Sequence, residues 1–199
     1  MFAKRACAIS ATAVLLAGLG VTATASAQTV SRFDDGSFEN PRVAVGSYTD
    51  LAAGQTIGPW QVTTGTVDLI GEGFWQAAEG DQSVDLNGVG PGAVAQTFTT
   101  VPGTTYTVTY ALAGNPAGAP AVKTGSALID GQDFQDFSFN TTGKTFANMG
   151  YVNRQFTFQA TNSATTIAFT STTATGPYGP VLDNVRIERC APCPPCGNG

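Results

Sequence analysis

Apolar and polar residues alternate with a period of two along much of the chain from Pro59 to Arg189. The clearest run extends from Tyr106 to Leu112, and the run from Ser83 to Asn87 alternates equally cleanly. Such alternation is typical of a half-buried β-strand, because successive side chains point to opposite faces of a sheet. The segments that we predict as strands are 59–70, 83–87, 93–100, 106–112, 126–130, 134–139, 154–160, 165–171 and 181–189.

Glycine and proline separate these segments, and no stretch of the chain has the periodicity of an amphipathic helix. Asp130 and Gly131 lie between two of the alternating segments, which predicts a hairpin with this pair near its tip. Short strands at regular spacing, with turn residues between them, are typical of sandwiches and jelly rolls. We therefore predict an all-β fold, a jelly-roll β-sandwich of about nine antiparallel strands.

The first 27 residues have the pattern of a secretory signal peptide. Lys4 and Arg5 precede a short apolar stretch from Ala11 to Val21, and Ala25-Ser26-Ala27 fits a small-residue cleavage site. A membrane span needs roughly 20 apolar residues, so an uncleaved anchor is the less favoured alternative. The sequence thus predicts a signal peptide (1–27), a sandwich domain (28–189) and a C-terminal tail (190–199). We expect a secreted, extracellular or cell-surface protein without a membrane span in its mature chain.

The charge balance of the chain narrows the classes of partner that it binds. Nine basic residues stand against 14 acidic ones, and loss of Lys4 and Arg5 with the signal peptide changes the net charge from −5 to −7. An acidic surface argues against nucleic acid, whose binding depends on neutralising phosphates. The chain contains no histidine, which excludes a Ser-His-Asp mechanism and removes the commonest metal ligand. We therefore expect a protein that is not an enzyme.

Two segments near the ends of the predicted domain carry carboxylates that a jelly roll brings together. Glu39 follows Asp35-Gly36-Ser37-Phe38, and Asp183 follows Gly179-Pro180-Val181-Leu182. The first and last strands of a jelly roll are often neighbours, so Glu39 and Asp183 are candidates for a structural Ca²⁺ site completed by backbone carbonyls. The alternative is that both carboxylates accept hydrogen bonds from backbone N–H groups at turns.

Five segments, taken in order, resemble one known family. They are GSFENP (36–41), EGDQSVDLNG (79–88), AVAQTF (93–98), PGTTYTVTYALAGN (102–115) and GPVLDNVRI (179–187). Over residues 33–189 the chain resembles the domain of unknown function 642 family, known among bacterial proteins as choice-of-anchor C proteins. The resemblance implies a galactose-binding-domain-like β-sandwich, an extracellular or cell-wall setting and a polysaccharide ligand.

The chain is also similar, more distantly, to carbohydrate-binding modules of the same sandwich type. Many of these modules open with a GxFE segment and close with a DxV segment, and the two segments hold a structural calcium ion. On this resemblance the matching positions are again Glu39 and Asp183.

Aromatic residues in predicted loops are the candidates for contact with a sugar. Trp75 and Tyr178 lie in segments without strand periodicity, which favours exposure, and an exposed ring can pack on the C–H face of a pyranose. Asn115 and Asp85 are the candidate hydrogen-bonding partners of the sugar hydroxyl groups. The alternative for each residue is packing or loop anchoring. Trp60 belongs to a strand pattern, which predicts a place in the core.

Three cysteines in the C-terminal tail suggest covalent pairing. Cys190, Cys193 and Cys196 are separated by proline-rich pairs, and the prolines exclude the helix that a redox C-x-x-C motif opens. An odd number of cysteines in an exported protein indicates pairing between chains, so we favour one intrachain bridge and one intermolecular bridge. The alternatives are metal or thioether chemistry, or a tail without structure.

These observations favour a secreted, non-catalytic carbohydrate-binding module that acts at the cell wall or in the extracellular matrix. The second hypothesis is a structural protein of the cell surface or matrix, cross-linked through its C-terminal cysteines. A glycoside hydrolase would need two carboxylates about 5–10 Å apart across a cleft, and no motif in the sequence singles out such a pair.

Overall fold

The computed structural model describes residues 33–190, which form two packed β-sheets and contain no helix. Each sheet has six strands, and every strand pairing is antiparallel. The strands are β1 (Tyr48–Ala52), β2 (Thr56–Ile57), β3 (Trp60–Thr64), β4 (Thr66–Ile70), β5 (Ser83–Asp85), β6 (Ala93–Thr99), β7 (Thr105–Gly114), β8 (Val122–Ile129), β9 (Gln132–Asn140), β10 (Val152–Gln159), β11 (Ala164–Ser171) and β12 (Pro180–Arg189).

The front sheet has the strand order β1-β4-β5-β12-β7-β10, and the back sheet has the order β2-β3-β6-β11-β8-β9. The last strand thus lies in the middle of the front sheet, between β5 and β7. This arrangement confirms the predicted all-β, galactose-binding-domain-like sandwich. The loops that follow β5 and β7 and precede β12 and β8 meet at one end of the sandwich.

The predicted number of strands is wrong, because the described residues contain 12 strands rather than about nine. The single strand predicted over 59–70 is two strands in different sheets, β3 and β4, which Gly65 separates with a positive φ of 57°. Two further strands lack the alternation that the prediction required. Of the residues in β1 only Leu51 is buried, and β2 is two residues long.

The core between the sheets is built from the inward positions of the alternating strands. Trp60, Tyr110, Leu112 and Phe169 are all at most 2% exposed, and Trp60 donates its indole N–H to the Asp35 carbonyl at 3.0 Å. Complete burial of one such apolar side chain contributes roughly 1.5–3 kcal/mol to folding. The core position predicted for Trp60 is therefore confirmed.

The hairpin predicted around Asp130 is also present, but the pairing of its two strands is irregular at one point. Asp130 and Gly131 alone connect β8 to β9, and both have positive φ. The pairing of β8 with β9 contains an irregularity opposite Ala127 and Leu128, and Phe134 lies at that point. Its side chain is 46% exposed, so Phe134 lies outside the core although it belongs to a predicted strand.

The two ends of the described chain lie together, as the sequence predicts for a jelly roll. The Val185 N–H donates to the Gly36 carbonyl at 2.8 Å, which joins the N-terminal segment to β12. The register of β12 shifts between Asp183 and Arg186, and Asn184 has a positive φ of 49° there. The close approach requires glycine at position 36, because a Cβ there would lie 2.0 Å from the Val185 oxygen.

Some predictions fall outside the described residues. These are the signal peptide (1–27) and the cysteines Cys193 and Cys196, whereas Cys190 is described, exposed and free. Within residues 33–190 no helix has the length and apolar character that crossing a membrane requires.

Candidate functional site

Five residues meet at the loop-rich end of the sandwich, and we call them the polar loop site. They are Asp85, Asn87, Asn115, Lys123 and Tyr178. Asp85 is the last residue of β5, Asn115 directly follows β7, Lys123 is the second residue of β8, and Tyr178 stands two residues before β12. Strand ends from both sheets therefore hold the site, and the loops 115–121 and 172–179 form its rim.

Asp85 is the centre of the site, and its carboxylate is fully buried. Oδ1 accepts the backbone N–H groups of Asn87 at 2.9 Å and Gly179 at 3.0 Å, and Oδ2 accepts Asn115 Nδ2 at 2.8 Å. Burial raises the pKa of Asp85 to about 7, while these hydrogen bonds and the Lys123 charge act in the opposite direction. Asp85 thus ties three chain segments together.

Lys123 reaches the same end of the sandwich from the back sheet. It is fully buried, and its Nζ donates to the Gly118 carbonyl at 2.7 Å. The same Nζ lies 5.8 Å from the centre of the Tyr178 ring, within the range of a cation–π attraction. Burial lowers the pKa of Lys123, and the negative charge of Asp85 raises it. Lys123 therefore links the Asp85 carboxylate to the aromatic rim.

Tyr178 is partly exposed and packs directly on the backbone of Gly118. A Cβ at Gly118 would stand 2.2 Å from two carbons of the ring, so the observed ring position requires glycine there. The segments 116–121 and 172–177 contain only Gly, Ala, Pro and Thr. No long side chain of these loops covers the ring, which leaves Tyr178 accessible to a ligand.

The two asparagines fix the rim loops. Asn87 Nδ2 donates to the carbonyls of Thr173 at 3.2 Å and Gly176 at 2.8 Å, and Asn115 Oδ1 accepts the Ala117 N–H at 3.0 Å. Asn87 Oδ1 is buried and has no hydrogen-bond partner among the described residues. Buried polar networks of this kind hold loops in one conformation.

Three of the four predicted carbohydrate contacts, Asp85, Asn115 and Tyr178, therefore come together in one site. Asp85 is fully buried and Asn115 is 8% exposed, so both position the rim, and Tyr178 is the member with an accessible side chain. Contact of these residues with a sugar stays a prediction.

The expectation that Trp75 reaches solvent is wrong. Trp75 is 6% exposed and donates its indole N–H to Ser83 Oγ at 2.8 Å. Its ring packs edge-to-face on Phe74 and Phe146, with centroids 5.5 and 5.7 Å apart. The loop after β4 is itself anchored, since the Gln76 N–H donates to the Phe146 carbonyl at 2.8 Å. Trp75 is thus buried although it lies in an irregular segment, because that segment folds back over the protein.

Sequence reasoning missed two residues of the site, Lys123 and Gly118. Lys123 pairs with Phe139, which is buried, so extending the predicted strand 126–130 towards its start would have placed this lysine on an inward position. No local signal identifies Gly118, because its role depends on the approach of Tyr178 from a distant segment.

Glu39 and Asp183, the predicted calcium ligands, flank one loop at the joined chain ends. Glu39 Oε1 accepts two backbone N–H groups of the loop 78–82 at 2.8 and 3.0 Å, and Asp183 Oδ2 accepts two others at 2.7 and 3.0 Å. Burial raises the pKa of Asp183 to about 7, while the backbone N–H groups that it accepts act in the opposite direction.

These contacts fit the alternative interpretation, in which the carboxylates satisfy backbone N–H groups. Four N–H donors already face Glu39 Oε1 and Asp183 Oδ2, and such donors repel a cation. Within residues 33–190 no three carboxylate or thiol side chains are grouped so that they could hold a metal ion. The hydrogen bonds therefore favour the alternative, and a calcium ion held by Glu39 and Asp183 stays a prediction.

Comparison with known proteins gives one relative in sequence and several in structure. The chain is 31% identical over 180 residues to halomucin of Haloquadratum walsbyi, a match that covers 87% of this chain. The match spans 2% of the length of that relative. Likeness to an arabinose-bound α-L-arabinofuranosidase is limited to the fold, with 8% identity and a TM-score of 0.54 over 80% of this chain and 26% of that one.

A family 61 carbohydrate-binding module in complex with β-1,4-galactotriose also aligns with the chain. The alignment has 12% identity and a TM-score of 0.48, and it covers 79% of this chain and 97% of that one. The family profile described as protein of unknown function DUF642 matches residues 31–188, which is most of the chain. The sequence motifs, the sandwich and this match agree, and the chain belongs to the DUF642 family.

Proposed function

We propose that the chain is a non-catalytic carbohydrate-binding module that binds polysaccharide at the cell wall or in the extracellular matrix. The observation that carries the proposal is Tyr178, a partly exposed aromatic ring fixed above a buried polar network. Sugar sites combine an accessible aromatic ring with a small number of fixed polar groups. The polar loop site has this composition, and the rim residues around Tyr178 have small side chains.

Binding without catalysis follows from the state of the site's carboxylate. Asp85 is fully buried and accepts three N–H hydrogen bonds, so its oxygens are not presented to a bound substrate. Glycoside hydrolysis needs a pair of carboxylates that flank the scissile bond. The chain also has no histidine for general acid–base chemistry.

The proposal is tested by incubating the purified protein with insoluble cell-wall preparations and by affinity electrophoresis in gels that contain soluble polysaccharides. We expect retention by at least one polysaccharide and no release of reducing sugar from it. Absence of retention on every cell-wall, extracellular and soluble polysaccharide would contradict the binding role. Release of reducing ends would contradict the non-catalytic one.

A second candidate is a structural surface or matrix protein whose copies are linked through the C-terminal tail. The observation in its favour is Cys190, which is exposed directly after β12 with its Sγ 3.4 Å from Thr107 Oγ1. Cys193 and Cys196 follow it directly. The two functions are compatible, because the tail and the polar loop site are separate parts of the chain.

A further inference from the structure

Three aspartates stand directly opposite one another on adjacent strands of the front sheet. Asp50 of β1 pairs with Asp68 of β4, and Asp68 pairs with Asp85 of β5. Side chains at paired positions point to the same face of a sheet, a few ångströms apart. That face is the outer one, because Val67 and Leu69 of β4 lie on the opposite face, in the core. Like charges placed directly opposite each other destabilise a sheet.

The three carboxylates differ in how their charge is balanced. Asp85 accepts three N–H hydrogen bonds, whereas neither Asp50 nor Asp68 accepts one from any described residue. Asp68 is 9% exposed, and its Oδ1 is buried without a partner. The ion pairs of the described chain are formed by Arg42 and Arg186 and include neither aspartate.

The Asp68 carboxyl group lies within hydrogen-bonding reach of the Asp50 carboxyl group. Burial, and to a lesser degree the neighbouring Asp50 and Asp85, together raise the pKa of Asp68 to about 8. Two adjacent carboxylates without donors are stabilised either by a shared proton or by a cation.

Other oxygen atoms lie beside the pair. A Cβ at Gly88 would stand 2.5 Å from Asp50 Oδ1 and 2.9 Å from Thr66 Oγ1, so the backbone after β5 comes close to both oxygens. Thr66 Oγ1 accepts the Val89 N–H at 2.8 Å, whereas no N–H group donates to Asp50 Oδ1 among the described residues. Asp50 itself is exposed, which leaves the pair open to solvent on that side. This environment differs from that of Glu39 and Asp183, where N–H groups face the carboxylates.

We propose that Asp50 and Asp68 bind a divalent cation that prefers oxygen ligands, with Ca²⁺ as the best fit. The Asp85 carboxylate, opposite Asp68, is occupied by its three N–H donors, so backbone carbonyl and water oxygens complete the coordination. Calcium takes six to eight oxygen ligands in flexible geometry, and sites with few charged ligands are weak. We expect a dissociation constant of about 10⁻⁴–10⁻³ M, as in extracellular modules.

The test is calorimetric titration of the purified, chelator-treated and dialysed protein with CaCl2, together with thermal unfolding in chelator and in millimolar CaCl2. Wild type is compared with the variants Asp50→Asn and Asp68→Asn. The matched control is Asp133→Asn, which removes the same charge from an exposed position of β9 in the other sheet. Asp50 is exposed, so its variant is expected to fold even where the Asp68 variant does not.

We expect CaCl2 to raise the unfolding temperature of wild type and of the Asp133 variant. Both site variants should lose this rise and bind Ca²⁺ about tenfold more weakly or not at all. An equal calcium response in wild type and in the Asp50 variant would overturn the proposal by placing the ion elsewhere. No response in wild type would also overturn it and would leave a shared proton as the explanation for the pair.

Discussion

At the scale of single residues, the buried charge of Asp85 depends on the groups around it. A carboxylate without partners in an apolar interior is strongly unfavourable, and here three N–H donors and the Lys123 ammonium offset that cost. Lys123 in turn is buried where Gly114 leaves space for its side chain, since a Cβ at Gly114 would lie 2.7 Å from Lys123 Cγ.

The pKa of Asp85 predicts how stability depends on pH. Burial raises this pKa from 3.8 to about 7, so the folded chain retains a proton that the unfolded chain releases. The stabilising contribution of this group is complete below a pH of about 4 and is lost as the pH rises through about 7. In wild type we therefore expect the free energy of unfolding to fall between a pH of about 5 and a pH of about 8.

In the variant Asp85→Asn, the free energy of unfolding should fall less over the same pH range than in wild type, because an amide does not titrate. Denaturant titration at a series of pH values measures it, with Asp133→Asn as the control for loss of one carboxylate. Equal pH dependence of the Asp85 variant and wild type would show that this carboxyl does not titrate as proposed.

At the scale of elements, the loop 78–82 is held by two carboxylates from opposite ends of the domain, Glu39 and Asp183. Glu39→Ala leaves two backbone N–H groups without their acceptor, and we expect it to lower the free energy of unfolding by about 1–3 kcal/mol. Glu39→Gln keeps an Oε1 acceptor and should cost much less. Chemical denaturation of both variants measures the difference, and a calcium-binding Glu39 would instead make glutamine as harmful as alanine.

The strands show which elements a sequence pattern identifies. Strands such as β7 and β11 bury one face and expose part of the other, so their alternation predicted them. β1 was missed because only one of its residues is buried, and the break at Gly65 was missed because alternation continues on both sides of it. Whether consecutive strands share a sheet is decided by backbone conformation at the turn, which the side-chain pattern does not encode.

The polar loop site was predicted only in part, because some of its residues are placed by contacts between distant segments. Asp85, Asn115 and Tyr178 are polar or aromatic residues at strand ends, where a sequence pattern points to function. The burial of Trp75 results from contacts with Phe74 and Phe146, and the place of Lys123 results from a glycine elsewhere in the chain. Both depend on contacts between distant segments, so neither could be inferred locally.

At the scale of the whole molecule, the polar loop site and Cys190 lie at opposite ends of β12. β12 begins beside the site at Pro180 and ends at Arg189, directly before Cys190. A strand rises about 3.3 Å per residue, so the ten residues of β12 separate the two by roughly 30 Å. Linkage through the tail would therefore leave the rim of the site open.

This separation yields a prediction for the assembled protein. On non-reducing gels, protein from its native host should show species larger than the monomer, and a reductant should convert them to monomer. Replacement of all three tail cysteines by serine should abolish these species without changing polysaccharide retention. A monomer band alone, with and without reductant, would remove the support for disulfide linkage.

The central claim is that Tyr178 forms the sugar-binding surface of the polar loop site. Affinity electrophoresis or calorimetry with a retained polysaccharide, comparing wild type with Tyr178→Ala, tests it most directly. The matched control is Phe134→Ala, which removes another half-exposed aromatic ring. We predict an affinity about tenfold or more lower for the Tyr178 variant and an unchanged affinity for the control, with both variants folded. Equal affinity of the Tyr178 variant and wild type would contradict the account.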